Sequence, residues 1–133
     1  FTNARIASDP DNSDILYIGL KGKVLRLYVK ESRFEEVGKG LPAINCGQLI
    51  FHEGSGDLYF INGDNASIYI LENGSDTWRY WVKGYNPGKI GDCHVSINYT
   101  TQEMVFSDYG RGVWVADLEH PSDRYFKDGF TLK

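Results

Sequence analysis

The feature that most constrains this chain is a pattern that occurs three times along it. Each copy contains two short apolar runs separated by a glycine-containing turn, and Leu16, Leu58 and Met104 occupy equivalent positions, 42 and 46 residues apart. Self-similarity at such a period is typical of proteins built from stacked structural repeats. The three copies are residues 15–27 (ILYIGLKGKVLRL), 57–71 (DLYFINGDNASIYIL) and 103–118 (EMVFSDYGRGVWVADL).

Along the whole chain, short runs alternate between apolar and polar residues. No window of a dozen residues keeps apolar side chains at helical spacing, whereas strict alternation is the pattern of a half-buried strand. Clusters of Gly, Asp and Asn separate the runs and favour turns. The predicted strands are residues 5–8, 15–20, 24–29, 34–37, 48–52, 58–62, 68–71, 78–82, 94–99, 104–107, 113–116 and 125–132.

The twelve predicted strands fall into three groups of four, so we predict an all-β fold. A repeat of about 45 residues that holds four antiparallel strands is typical of one blade of a β-propeller. The predicted fold is therefore a single propeller segment of three four-stranded antiparallel blades. The blades are residues 1–42, 43–86 and 87–133.

Composition excludes several other classes of protein. The side chains are 14% aromatic and 24% charged, whereas disordered chains have fewer aromatic residues and more charge. The net charge of −4 has the wrong sign for a protein that binds the phosphates of nucleic acid. No apolar run approaches the roughly 20 residues that span a bilayer. We therefore expect a folded chain with no nucleic-acid partner and no membrane span.

Three segments resemble the Asp-box propellers, the bacterial-neuraminidase-repeat class that includes sialidases, xyloglucan-cleaving hydrolases and sortilin-type receptors. Residues 9–19 (DPDNSDILYIG) resemble the start of an Asp-box blade, and residues 96–118 resemble the last blade of secreted bacterial propellers. Residues 71–78 (LENGSDTW) align with the Asp-box motif and keep only its Thr77 and Trp78. The resemblance implies a propeller segment of a secreted or cell-surface protein.

Three blades do not close a propeller, which typically has four to eight. Two arrangements stay open: the chain is the C-terminal part of a longer propeller, or two copies assemble into a six-bladed ring. Because the only methionine is Met104, residue 1 is not expected to be a translational start, and we favour the longer chain. The expected partners are therefore the remaining blades or a second copy.

Antiparallel strands alternate in direction, so the connections of each blade fall at two ends. The turns between second and third strands share one end with the links between blades; we call this the link end. In the resembling enzymes it carries the substrate cleft. Tyrosine, aspartate and asparagine suit a sugar ring and its hydroxyls, although aspartate and asparagine are also common in turns. The predicted ligand-binding residues at the link end are Asp64, Asn65, Tyr85, Tyr109 and Arg111.

Two aspartates at the link end of the third blade are the candidate catalytic pair. Glycosidases use two carboxyl groups about 5–5.5 Å apart for retention and about 6.5–9.5 Å apart for inversion. Asp92 and Asp108 share the required end, but both lie in turn-like segments where aspartate is common anyway. The arginines do not recur at equivalent positions in the blades, which disfavours the arginine clamp of sialidases.

No metal site or cofactor is predicted. Residues 9–14 (DPDNSD) carry oxygen ligands but lack the glycine and glutamate that an EF-hand loop needs at its sixth and twelfth positions. Cys46 and Cys93 lack the spacing of a zinc site. We expect two buried thiols; the alternative is a disulfide, which requires Cα atoms within about 7 Å of each other. Among the aromatic residues, Trp78 is expected between sheets, and Trp81, flanked by charged residues, at an exposed rim.

The repeats, the acidic charge and the weak catalytic pattern favour a non-catalytic binding or scaffold segment that recognises a glycan or a protein. Two alternatives remain. The chain is the C-terminal part of a propeller glycoside hydrolase whose acids lie mainly in earlier blades, or it is a peptide-binding interaction module like the sortilin propellers.

Overall fold

The computed structural model describes residues 4–64, 67–82, 93–108 and 112–118, which form three antiparallel sheets. Sheet 1 contains β1 (Arg5–Ser8), β2 (Ile15–Leu20), β3 (Lys23–Tyr28) and β4 (Arg33–Glu36). Sheet 2 contains β5 (Cys46–Phe51), β6 (Leu58–Asn62), β7 (Ile68–Leu71) and β8 (Arg79–Val82). Sheet 3 contains β9 (Cys93–Asn98), β10 (Glu103–Asp108) and β11 (Gly112–Asp117).

The all-β prediction is confirmed, since the described residues contain strands and no helix. Each observed strand begins and ends within two residues of its predicted position. Neighbours in sequence are neighbours in each sheet, so the chain runs up and down through sheets of four, four and three strands. The predicted twelfth strand, residues 125–132, lies outside the described residues.

Each of the three sheets has a hydrogen bond at the end of its third strand, at an equivalent place. A carboxylate oxygen of Asp14 in sheet 1, and of Asp57 in sheet 2, accepts the backbone N–H sixteen residues later, at 2.7 and 2.8 Å. In sheet 3 the carbonyl of Gln102 accepts the N–H of Leu118, also sixteen residues later, at 2.9 Å. The repeat in the sequence is therefore also a repeat of the three-dimensional structure.

Sheet 2 is buried on both faces because it lies between the other two sheets. Successive residues of a strand point to opposite faces, so all five residues of β6 are buried. One core cluster joins sheets 1 and 2 and includes Tyr17, Val24, Leu49, Leu58, Phe60, Leu71 and Trp78. The other joins sheets 2 and 3 and includes Tyr59, Ile61, Ile68, Ile70, Trp81, Val95, Met104 and Ala116.

Trp78 connects sheet 2 to the link that follows sheet 1. Its backbone N–H donates to the carbonyl of Lys39 at 2.8 Å, and its indole Nε1 donates to the carbonyl of Val37 at 3.0 Å. Gly38 has a φ of 79°, and a Cβ there would lie 2.5 Å from Nε1, so this position requires glycine. The expected place of Trp78 between sheets is confirmed.

The expected exposure of Trp81 is wrong. The side chain is only 6% exposed and packs edge to face against Tyr59, with ring centroids 5.2 Å apart. Tyr80, on the other side of the strand, is 49% exposed. The charge of Arg79, which suggested a rim, is paired at the surface with Glu72 at 2.7 Å. Charged neighbours in the sequence do not indicate that Trp81 is exposed, because sheet 3 covers this face of sheet 2.

Cys46 is a buried free thiol at the start of β5. Burial raises the pKa of this thiol to about 12. A Cβ on Gly19 would lie 2.5 Å from its Sγ, so the thiol packs directly against the backbone of sheet 1. The side chain of Cys93 is not among those described, and the expectation of a second buried thiol stays a prediction.

Replacement of Trp81 by alanine tests the two-sided burial of sheet 2. We expect Trp81→Ala to lower the free energy of unfolding by about 3–5 kcal/mol, because it removes a buried aromatic ring and leaves a cavity. The control Tyr80→Ala removes a half-exposed ring of the same strand and is expected to cost less than about 1 kcal/mol. Urea unfolding followed by circular dichroism measures both, and equal small losses would contradict the burial of Trp81.

Candidate functional site

The predicted link-end site is described only in part. The exposed Asp64 donates its backbone N–H to Oδ1 of Asn62 at 2.8 Å, in the hairpin after β6, as an ordinary turn residue does. Asp108 ends β10, where it pairs with Cys93 and Gly112, but its side chain is not described. The other predicted residues, which lie outside the described part of the chain, are Asn65, Tyr85, Asp92, Tyr109 and Arg111.

The described residues instead form a cavity at the opposite end of the sheets. Its volume is about 300 Å³, and it lies between sheets 1 and 2 where the turns at 9–14, 52–57 and 72–76 come together. These turns are connections between first and second or third and fourth strands, so the cavity is not at the predicted cleft. The residues around it include Asp9, Asp11, Tyr17, Arg26, Phe51 and Asn73.

Two stacked aromatic rings form the inner wall of this cavity. Tyr17 and Phe51 have ring centroids 5.6 Å apart and planes inclined by 20°. β2 directs Tyr17 toward sheet 2, where it is only 5% exposed, and the end of β5 brings Phe51 against it. A stacked pair of this kind contributes roughly 0.5–1.5 kcal/mol beyond its burial. The wall is therefore part of the contact between the two sheets.

Arg26 is the cation of the cavity and lies beside Tyr17 on the neighbouring strand β3. Its Nε donates to the Tyr17 hydroxyl at 3.4 Å, and its Nη1 donates to Glu35 at 2.7 Å. Partial burial alone lowers the pKa of the guanidinium, but these hydrogen bonds to Tyr17 and Glu35 outweigh burial and raise it. Arg26 therefore stays charged, and its charge is balanced by a carboxylate two strands from Tyr17.

Glu35 is held in its charged form by the same cluster. The hydroxyl of Tyr28 donates to Oε1 of Glu35 at 2.8 Å. This bond and the guanidinium of Arg26 lower the pKa of the Glu35 carboxyl below its usual value of 4.5. At neutral pH the Arg26–Glu35 pair is therefore intact, and it adds no net charge to the cavity.

Hydrogen bonds within the turns fix the polar groups at the rim of the cavity. Asp9 uses one carboxylate oxygen to accept the N–H of Asp11 at 2.9 Å, and Asp57 accepts the N–H of Asn73 at 2.8 Å. Among the described residues, the second oxygen of Asp9, the Asp11 carboxylate and the side-chain amide of Asn73 have no hydrogen-bond partner. The rim thus presents unpaired acceptors and donors on ordered backbone.

The turn at 9–14 uses its oxygen atoms for its own backbone. Besides the hydrogen bond between Asp9 and Asp11, there is a second one in which Oδ1 of Asn12 accepts the N–H of Asp14 at 3.0 Å. Across the described ranges, no group of three His, Cys, Asp or Glu side chains is placed to hold a metal ion. In the same ranges, no helix is long and apolar enough to cross a membrane.

The face of sheet 1 that points away from sheet 2 is apolar. The pair Leu16 and Leu27 in sheet 1 is equivalent by register to the pair Leu58 and Leu71 in sheet 2. Leu58 and Leu71 are buried against sheet 1. On sheet 1 the corresponding face is only partly buried within the described structure. Its apolar residues are Ile6 and Phe34, 65% and 56% exposed, and the partly buried Leu16, Ile18, Leu25 and Leu27.

Comparison with solved structures finds a similar fold in a structural genomics protein of unknown function from Bacteroides thetaiotaomicron VPI-5482. The TM-score is 0.67 and the sequence identity 16%, over 91% of this chain and 30% of that one. The likeness concerns the fold alone, and this chain spans about 30% of the length of that protein. No protein-family model and no curated protein matches the sequence.

Acid titration tests the cluster around Arg26. Because folding lowers the pKa of Glu35, its stabilising contribution is present above pH 4.5 and disappears as the pH falls through the lower folded-state value. We expect Glu35→Gln to lower the melting temperature at neutral pH and to reduce its fall toward about pH 3. Glu36→Gln, at an exposed neighbour on the same sheet, is the control. Identical pH profiles for the two variants would contradict the role of Glu35.

Proposed function

We propose that this chain is a non-catalytic binding and scaffold segment of a β-propeller, in a secreted or cell-surface protein that recognises a glycan or a protein. The observation that carries the proposal is the repeated stacking of sheets. Sheets 1 and 2 have four antiparallel strands each, and both faces of sheet 2 are covered. Such stacking of short four-stranded sheets supports a propeller.

The apolar outer face of sheet 1 supports continuation of this array. Leu16 and Leu27 repeat the positions of Leu58 and Leu71, so a sheet of the same kind would fit over them as sheet 1 fits over sheet 2. Contiguous exposed apolar patches mark interaction surfaces. We propose that a further four-stranded sheet covers this face.

The size of the face favours a covering sheet from the same polypeptide. Four strands about 4.8 Å apart and about 20 Å long present roughly 400 Å², whereas a stable complex needs about 800 Å² from each partner. A free second copy would therefore bind weakly through this face alone. The structure from Bacteroides thetaiotaomicron supports the longer chain, because the shared fold takes up 30% of that protein.

Paired lysine substitutions test this cover. In the 133-residue chain, Leu71→Lys places a charge in the core between sheets 1 and 2 and is expected to lower the melting temperature strongly. Leu27→Lys, at the equivalent position of the outer face, is expected to have little effect in that chain. In a longer natural polypeptide that extends the chain before residue 1, both substitutions are expected to destabilise.

Three results would contradict the cover by the same polypeptide. The first is a reading frame that encodes no further strands before residue 1. The second is a Leu27→Lys variant of the longer polypeptide that is as stable as the unchanged protein. The third is a 133-residue chain that sediments as a dimer and that Leu27→Lys converts to a monomer. The last result would assign the face to a second copy.

The glycoside hydrolase alternative has one observation in its favour. Asp108 pairs in the ladder with Cys93, the residue that directly follows Asp92 in the sequence. On aryl glycosides and on plant and host glycans we expect binding without turnover. Turnover that Asp108→Asn abolishes would overturn the non-catalytic proposal, and Asp76→Asn is the matched control, since Asp76 is an exposed turn residue at the opposite end of the sheets.

A further inference from the structure

We infer that the cavity between sheets 1 and 2 is a binding site for a neutral sugar ring. The site lies at the end of the sheets opposite to the link end, and none of its residues is among the predicted ligand-binding residues. The inference rests on the proposed binding function and narrows it to one place and one class of ligand. Three properties of the cavity carry it: its hydrogen-bonding groups, its charge and its size.

The hydrogen-bonding groups suit hydroxyls, each of which can donate and accept. Within the described part of the chain, the acceptors without a partner are both oxygens of Asp11 and the second oxygen of Asp9. The side-chain amide of Asn73 adds donors and an acceptor. The buried Tyr17 hydroxyl accepts a hydrogen bond from Arg26, and its own hydrogen has no acceptor among the described residues. A ring that carries several hydroxyls satisfies both kinds of group at once.

The charge of the cavity disfavours anionic ligands. Arg26 is the cation of the cavity, and Glu35 balances its charge at 2.7 Å. The Asp9 and Asp11 carboxylates have no cationic partner among the described residues, so the site is acidic. A phosphate, a sulfate or the carboxylate of an acidic sugar would be repelled. A neutral sugar is not repelled, and its hydroxyls can donate to these carboxylates.

The size and the rigidity of the cavity suit a small ligand. About 300 Å³ is at the lower end of the range of ligand sites, roughly 300–1,000 Å³. The turns that carry Asp11 and Asn73 are held by side-chain-to-backbone hydrogen bonds of 2.9 and 2.8 Å. Groups that are ordered before binding lose little conformational entropy when the ligand arrives. The site is therefore preformed for one terminal sugar unit rather than for a long polymer.

Ligand-detected and protein-detected NMR titrations test the inference with free sugars. The probes are glucose, galactose, mannose and N-acetylglucosamine, with glucuronic acid and inorganic phosphate as anionic comparisons. We expect at least one neutral sugar to bind and both anions to bind more weakly. Asp11→Ala is expected to weaken binding about tenfold, because it removes a charged hydrogen-bond acceptor. Glu36→Ala, at an exposed acid of β4 that does not line the cavity, is the matched control and is expected to bind like the unchanged protein.

Several outcomes would overturn the inference: no neutral sugar binds, only the anions bind, or Asp11→Ala binds as well as Glu36→Ala does. Asp11 is exposed, so its replacement is not expected to unfold the chain, and a thermal melt of each variant checks this. Tyr17→Phe keeps the stacked ring and removes the hydroxyl, and it is expected to weaken the same binding. If the sugar titrations fail while Leu27→Lys still destabilises the longer polypeptide, only this site is wrong and the proposed scaffold function stands.

Discussion

The structure depends on the burial of sheet 2 from both sides. A sheet of four short strands presents two faces to its surroundings, and in sheet 2 both faces are apolar. Phe60 and Leu71 pack toward sheet 1, whereas Ile61 and Ile68 pack toward sheet 3. In repeat proteins each unit is stabilised chiefly by its neighbours. Sheet 2 therefore depends on both neighbouring sheets to bury its apolar faces.

The candidate site is a consequence of this stacking. Tyr17 and Phe51 belong to different sheets, and their rings meet only because the sheets pack face to face. Beyond the rings, the turns of both sheets contribute polar groups that do not close over the core. Arg26 is kept at this boundary by Glu35, which balances its charge without filling the cavity. A polar cavity with an aromatic wall thus forms at the edge of an otherwise apolar contact.

Much of the fold could be predicted from the sequence, whereas little of the described site could. Alternation and turn residues are local signals, and they located all eleven described strands. The tryptophan of the motif-like segment, Trp78, was also predicted between sheets. Trp81 was not, because charged neighbours suggest exposure and nothing local shows that another sheet covers that face. The cavity was missed because its lining comes from three turns that are far apart in the sequence, and Asp9 and Asp11 look like ordinary turn residues.

By itself, the sequence determined the strands, their turns and the three repeats. Apolar residues recur every second position within a strand, and similar segments recur about every 45 residues, so both patterns can be recognised from the order of residues alone. Only the tertiary structure decided which faces are covered and which turns meet. Burial and cavities depend on the distance between residues of different sheets, and that distance is set by packing. Leu27 and Leu71 show the difference. They are equivalent residues of the repeat, but Leu27 lies on the outer face of sheet 1 and Leu71 lies in the core.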